Sequence, residues 1–162
     1  MSEKTEGTRS FVPPGTCQLI PYLICDRAAE AIGFYIDVFD ATEIGERFVD
    51  GDGKVGHAEL QIGEAQISVA DEFRGFGISP AGLEDSPVAL SLYVPDVDAT
   101  VAKAEAGGAT IVTPVEDTFY GSRRCRIRDP YGHRWLVATH VRDVSSEDYK
   151  KAVDDFSETS LT

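Results

Sequence analysis

Apolar positions along this chain switch between strand and helix periods, and they do so in the same order twice. Leu19 to Ile24 is a short apolar run containing Pro21, which reads as a strand near an edge. Ala28, Ala29, Ala31, Ile32, Tyr35, Ile36 and Phe39 then recur at helical spacing, predicting an amphipathic helix of about three turns with Asp26 as its cap. Three strands follow at Ala41–Val49, Val55–Ile62 and Ala65–Ala70, separated by turn chemistry at Asp50-Gly51-Asp52-Gly53 and Gly63-Glu64. The order βαβββ then begins again. Val88–Val94 reads as a strand, and Asp96 or Asp98 caps a helix carrying Val97, Val101, Ala102 and Ala104, which Gly107-Gly108 ends. Strands at Ala109–Val112, Ser122–Arg128 and His133–Thr139 complete it, with a turn at Asp129-Pro130-Tyr131-Gly132.

The two halves align at an offset of 68 positions: Ala41-Thr42 recurs as Ala109-Thr110, and Ile67 to Asp71 lies over Trp135 to Thr139. With 162 residues, 42% of them hydrophobic, the chain suffices for one compact core. The expectation is therefore a single α+β domain at 17–141, made of modules 17–72 and 87–141, with the strands forming a curved mixed sheet around a central cavity. Residues 73–86 link the modules. Phe73, Phe76 and Ile78 give this segment an apolar character suited either to a lid or to packing on the core. Residues 1–16 read as a flexible lead-in, and 142–162 as a C-terminal helix with Tyr149, Val153 and Phe156 on one face, followed by a loose tail.

A net charge of -13 argues against a nucleic-acid partner. No apolar run is long enough for a membrane span, and no leader pattern opens the chain, so a soluble, cytoplasmic protein is expected. Cys17, Cys25 and Cys125 suggest neither a disulfide framework nor a CxxC metal site.

Local wording sharpens the reading. Ala31-Ile32-Gly33-Phe34-Tyr35, His57-Ala58-Glu59-Leu60, Gly107-Gly108-Ala109-Thr110, Phe119-Tyr120-Gly121-Ser122-Arg123 and Asp129-Pro130-Tyr131-Gly132-His133 occur in this order. Together they resemble the vicinal oxygen chelate superfamily, which includes glyoxalase I, bleomycin-resistance proteins and extradiol dioxygenases, and within it a glyoxalase-like subgroup of unassigned function. The resemblance covers residues 18–141. It implies a ligand cavity between modules, often across a homodimer. In metal-dependent members it also implies His or Glu ligands on the first and last strand of each module, with substrate oxygens completing the coordination.

Carried over by motif, the last-strand positions are Ser68 and Leu136, and the first-strand positions fall near Ile20 or Pro21 and near Val88 or Ala89. None is an ordinary metal ligand. His57 and Glu59, two apart on one strand, share a face and are the alternative seed for a relocated divalent metal; solvent exposure and pocket lining stay open beside it. No cofactor is otherwise expected.

Alternation assigns Gln66, Ser68 and Ala70, Ala89, Ser91 and Tyr93, and Arg134, Leu136 and Ala138 to the cavity face. Arg124, Arg126 and Arg128 form the densest positive cluster, fit either for an anionic ligand or for pairing with neighbouring carboxylates; Tyr120 and Arg123 stand at a loop beside it. Cys25 reads as a thiol near a helix N-terminus, and Cys125 as a buried apolar residue. The expected function is binding of a small organic molecule between the modules, without the metal and on a homodimer, as in bleomycin-resistance proteins. The alternative is a metal-dependent lyase, isomerase or dioxygenase with relocated ligands.

Overall fold

The computed structural model describes residues 11–159; the expectations for residues 1–10, for the Phe156 side chain and for 160–162 lie outside the described residues. The chain is α+β, with each half built as βαβββ. The first comprises β1 (Tyr22–Cys25), α1 (Ala28–Phe39), β2 (Thr42–Val49), β3 (Val55–Ile62) and β4 (Ala65–Asp71). The second comprises β5 (Ala89–Tyr93), α2 (Val97–Ala106), β6 (Thr110–Asp117), β7 (Ser122–Arg128) and β8 (Arg134–His140), and α3 (Ser146–Thr159) follows. The strands form two four-stranded mixed sheets, ordered β1-β4-β3-β2 and β5-β8-β7-β6, each with one parallel pair and two antiparallel pairs.

Both sheets bury one face against α1 and α2 in a shared core. Leu23, Cys25, Leu60, Val69, Ile127, Trp135 and Val137 come from the strands, and Ile32, Tyr35, Phe39, Val97 and Val101 from the helices. Aromatic rings bind the modules together: Phe39 lies 4.6 Å from Trp135 between centroids, and Tyr35 lies 5.5 Å from it. Asp129 sits at the centre of this junction, 3% exposed. One of its carboxylate oxygens accepts hydrogen bonds from the Tyr35 hydroxyl and the Trp135 indole, both at 2.8 Å; the other accepts from the amides of Tyr131 and His133. Burial and the neighbouring carboxylate push the Tyr35 phenol well above its usual range.

Several local expectations change on folding. Asp26 does not cap α1. Its first free amide, on Ala28, donates instead to Asp71 Oδ1 at 2.9 Å, from the end of β4. Thr139 Oγ1, which the 68-residue offset aligns with Asp71, accepts from Val97 N at 2.8 Å in the second module, while Asp96 caps α2 locally. Each last strand therefore ties down its own module's helix. β6 extends to Asp117 rather than ending at Val112, because it keeps pairing with β7 across register shifts. The linker contains a 3-10 turn at Pro80–Gly82, and within it Gly77 packs on Ile24 and Phe76 meets Tyr22 edge-on at 5.4 Å. Residues 73–78 thus fold over the helix-free side of β1. Gly15, in the expected lead-in, and Cys17, at the start of the expected domain, are tied to the Gln66 side chain by hydrogen bonds of 2.8 and 3.0 Å.

Candidate functional site

Strand register decides which predicted residues share a surface. In the first sheet Tyr22 pairs with Ser68, and Ser68 with Glu59, so all three side chains leave the face away from α1. In the second sheet Ser91 pairs with Leu136, and Leu136 with Arg126. The residues opposite Ser68 and Leu136 are therefore Tyr22 and Ser91, while the first-strand positions carried over from the resemblance, near Ile20 or Pro21 and near Val88 or Ala89, lie earlier in the chain. Pro21 in fact precedes the strand, its carbonyl accepting the Ser68 amide at 2.9 Å. Alternation from the buried Leu23 and Cys25 was the signal that would have placed Tyr22 on this face.

His57 joins the first group. Its Nδ1 lies 2.8 Å from the Tyr22 hydroxyl, and its Nε2 lies 3.5 Å from Glu59 Oε1. The imidazole and the carboxylate are each 45% exposed, whereas Ser68 is 4% exposed beneath them. Partial burial, then the Glu59 charge, raise the Tyr22 phenol above its usual value, so it stands protonated, its hydroxyl also within 3.5 Å of the Gly56 carbonyl as a donor. Among the described residues, no group of three or more His, Cys, Asp or Glu side chains is arranged to hold a metal ion.

The second sheet presents a different surface. Ala89, Arg126, Arg134 and Leu136 line a pocket of about 330 Å³ together with Val112. Ser91 adjoins it in register, and Tyr93 lies farther along the same strand, 64% exposed. The three aligned arginines have unlike surroundings. Arg124 bonds Tyr120 Oη at 2.5 Å and Glu116 at 3.3 Å. Arg128 is spent on backbone carbonyls of the linker, those of Pro80 and Leu83 at 2.9 and 2.7 Å. Arg126 is exposed, and among the described residues its guanidinium has no hydrogen bond or ion pair. Arg123 holds Asp98 and Asp117 at the loop.

Where the modules meet, the edges of β1 and β5 leave a groove of about 440 Å³. Its walls include Pro21, Ile24, Ile78, Leu83, Val88 and Leu90, with Arg134 and His133 at one side. His133 is fixed there, its Nε2 donating to the Ile24 carbonyl at 3.1 Å; desolvation lowers its pKa below the ordinary 6.5, against the opposing pull of Asp129. Cys25 is not a reactive thiol: it is fully buried, and desolvation, reinforced by Asp129, pushes its pKa up. Cys125 is likewise buried. Trp135 belongs to the core, at 3% exposure.

Comparison with known proteins agrees with this architecture. The model of the Glyoxalase/Bleomycin resistance protein/Dioxygenase superfamily matches residues 17–137. Uncharacterized protein Mb0911c of Mycobacterium bovis is 39% identical over 139 residues, which span 83% of this chain and 91% of its own. Among solved structures, TioX from Micromonospora sp. ML1 superposes with a TM-score of 0.61 at 26% identity, covering 77% of this chain and 99% of its own. FosX from Listeria monocytogenes, a fosfomycin resistance protein solved with Mn(II) and a sulfate ion, has a TM-score of 0.59 at 16% identity, covering 83% of this chain and 97% of its own. At that identity the likeness is one of fold alone.

Proposed function

Since the chain belongs to the Glyoxalase/Bleomycin resistance protein/Dioxygenase superfamily, we propose that it binds a small organic molecule at the seam between its modules and does so without a metal. The observation that carries this reading is the groove between β1 and β5. It is mainly apolar, has a few polar groups at its rim and adjoins the Arg126 pocket, in the size range of small-molecule sites. Of the residues the sequence put forward, Ala89, Arg126 and Leu136 line that pocket and are proposed to meet the ligand, with Arg126 the best placed because its guanidinium donors are uncommitted; Ser68, Ser91, Tyr93, Tyr120 and Arg124 line neither of the two cavities.

The residues present do not fit the metal of metal-dependent relatives. Leu136 has no donor atom, the hydroxyls of Ser68 and Ser91 are weak ligands, with Glu59 the single carboxylate paired beside Ser68, and the Tyr22 phenol is protonated. A second reading, a metal-dependent lyase, isomerase or dioxygenase with relocated ligands, draws support from the closeness of His57 to Glu59 on the face that carries Ser68. Two ligands at half-exposed positions make a weak site. We also propose a homodimer and a cytoplasmic location, in which the three free thiols stay reduced.

Thermal-shift screening against planar antibiotics, aromatic acids and short α-keto compounds tests the binding reading, since a ligand of the folded state raises its apparent stability. Stabilisation by at least one class is expected; no shift with any class counts against binding. Metal analysis of protein purified without chelator separates the two readings. A divalent ion near one per chain that is lost on His57→Ala would establish the relocated site.

A further inference from the structure

Arg126 is an anomaly in a chain with 28 acidic and 15 basic side chains. Its neighbours on β7 are all engaged: Arg123 and Arg124 by carboxylates, Arg128 by linker carbonyls. The Arg126 side chain instead projects from the helix-free face into the wall of the smaller pocket, the guanidinium making no hydrogen bond or ion pair among the described residues. A second guanidinium stands beside it. Arg134 pairs in register with Arg128, two residues from Arg126 on the same face, and the diagonal spacing of such neighbours lets long side chains converge. Arg134 has one partner, Asp85 at 3.1 Å, in a pair whose members are 34% and 56% exposed. An exposed pair of this kind contributes little, so exchanging Asp85 for a ligand carboxylate is close to balanced.

Arg134 also lines the apolar groove, and so belongs to both cavities. The two are walled by consecutive residues at the start of one edge strand: Ala89 borders the pocket, while Val88, just before β5, and Leu90 border the groove. One molecule can therefore lay an apolar body between β1 and β5 and carry its charged end over the β5 edge to the two arginines. We infer that the ligand is an amphipathic organic anion, a carboxylate on an aromatic or alicyclic body, clamped by Arg126 and Arg134. This inference rests on the small-molecule reading above and adds the chemical class and the orientation.

Calorimetric titration with 2-naphthoate and with its neutral counterpart 2-naphthylmethanol tests it. Naphthoate is expected to bind the wild-type protein more tightly than the alcohol, Arg126→Gln is expected to weaken naphthoate about tenfold, the scale of a lost charge-assisted hydrogen bond, and Arg134→Gln to weaken it less, because Arg134 gives up Asp85 when it takes the ligand. Neither substitution should move the alcohol. Val88→Asp, in the exposed groove wall, should weaken both probes. Arg126→Gln removes no side-chain hydrogen bond or ion pair among the described residues, so its melting temperature serves as the check that it folds normally. Equal affinities for the two probes, or naphthoate binding indifferent to Arg126→Gln, would overturn the anionic class and leave small-molecule binding standing. Naphthoate binding unchanged by Val88→Asp would overturn the groove as the seat of the apolar body. No binding of either probe at about 1 mM would overturn both readings.

Discussion

Asp129 shows how one side chain can hold two modules together. It accepts from Tyr35 in α1, from Trp135 in β8 and from two amides of its own turn, and it is almost fully buried. Asparagine would present an NH₂ to donors on one side, so Asp129→Asn is expected to lower unfolding free energy by about 3 kcal/mol, read from urea denaturation. The sequence marked Asp129 only as a turn residue, because its partner Tyr35 lies 94 positions away. His133 gives a pH dependence. Its folded pKa is depressed, so the unfolded chain binds a proton first as pH falls below the ordinary 6.5, and stability is lost as pH falls from there toward the folded value. Melting temperature should therefore fall between pH 7 and about 5, and His133→Gln, which retains a donor toward Ile24, should make that fall shallower. At the candidate site, where register sets Ser68 beside Tyr22 and Ser91 beside Leu136, alternation along single strands assigned Ser68, Ala89, Ser91 and Leu136 to the cavity face. It could not separate Arg126 from Arg124 and Arg128, since their partners come from a loop, β6 and the linker.

The strands and helices themselves were legible because each has a period and a bounded length. Val55–Ile62 and Ser122–Arg128 form as the pattern predicts, and α1 ends at Phe39 where its apolar stripe stops. Helix starts were less legible. The Ala28 amide is satisfied by Asp71, 43 residues away, and the Val97 amide by Thr139, 42 residues away. This capping across the sheet is a property of the βαβββ unit that local capping rules do not see. Thr139→Val removes both the acceptor for the Val97 amide and the hydroxyl that donates to the Val94 carbonyl at 2.9 Å, while keeping the shape, and should cost about 1 to 2 kcal/mol. Asp71→Asn should cost more, because the two carboxylate oxygens accept the buried Ala28 and Val55 amides, and asparagine would turn an NH₂ toward one of those donors. Chemical denaturation of both variants checks the order; equal losses would mean that the opposed donors carry no weight.

In the whole molecule, each sheet covers one face with helix and leaves the other largely bare. Phe48, Val88 and Tyr93 are 65%, 62% and 64% exposed, and Ile78 on the linker is 72% exposed. Exposed apolar residues concentrated on such faces suit an interface between protein copies. Sedimentation equilibrium is expected to give about twice the 17.6 kDa of one chain, and Tyr93→Arg should shift the protein toward monomer; a monomer at micromolar concentration would remove the homodimer proposal. The sequence by itself determined the doubled βαβββ order and the superfamily, because both are carried by local periodicity and short motifs. The resemblance it carries implies a metal-ligand position at Leu136, a residue with no donor atom. Only the tertiary structure decided that Tyr22 meets His57, that Asp129 joins the modules and that Arg126 alone of its arginine neighbours is left uncommitted. Those facts depend on contacts between residues distant in the chain, and side-chain partnership is set by register and packing across elements rather than by the pattern within any one of them.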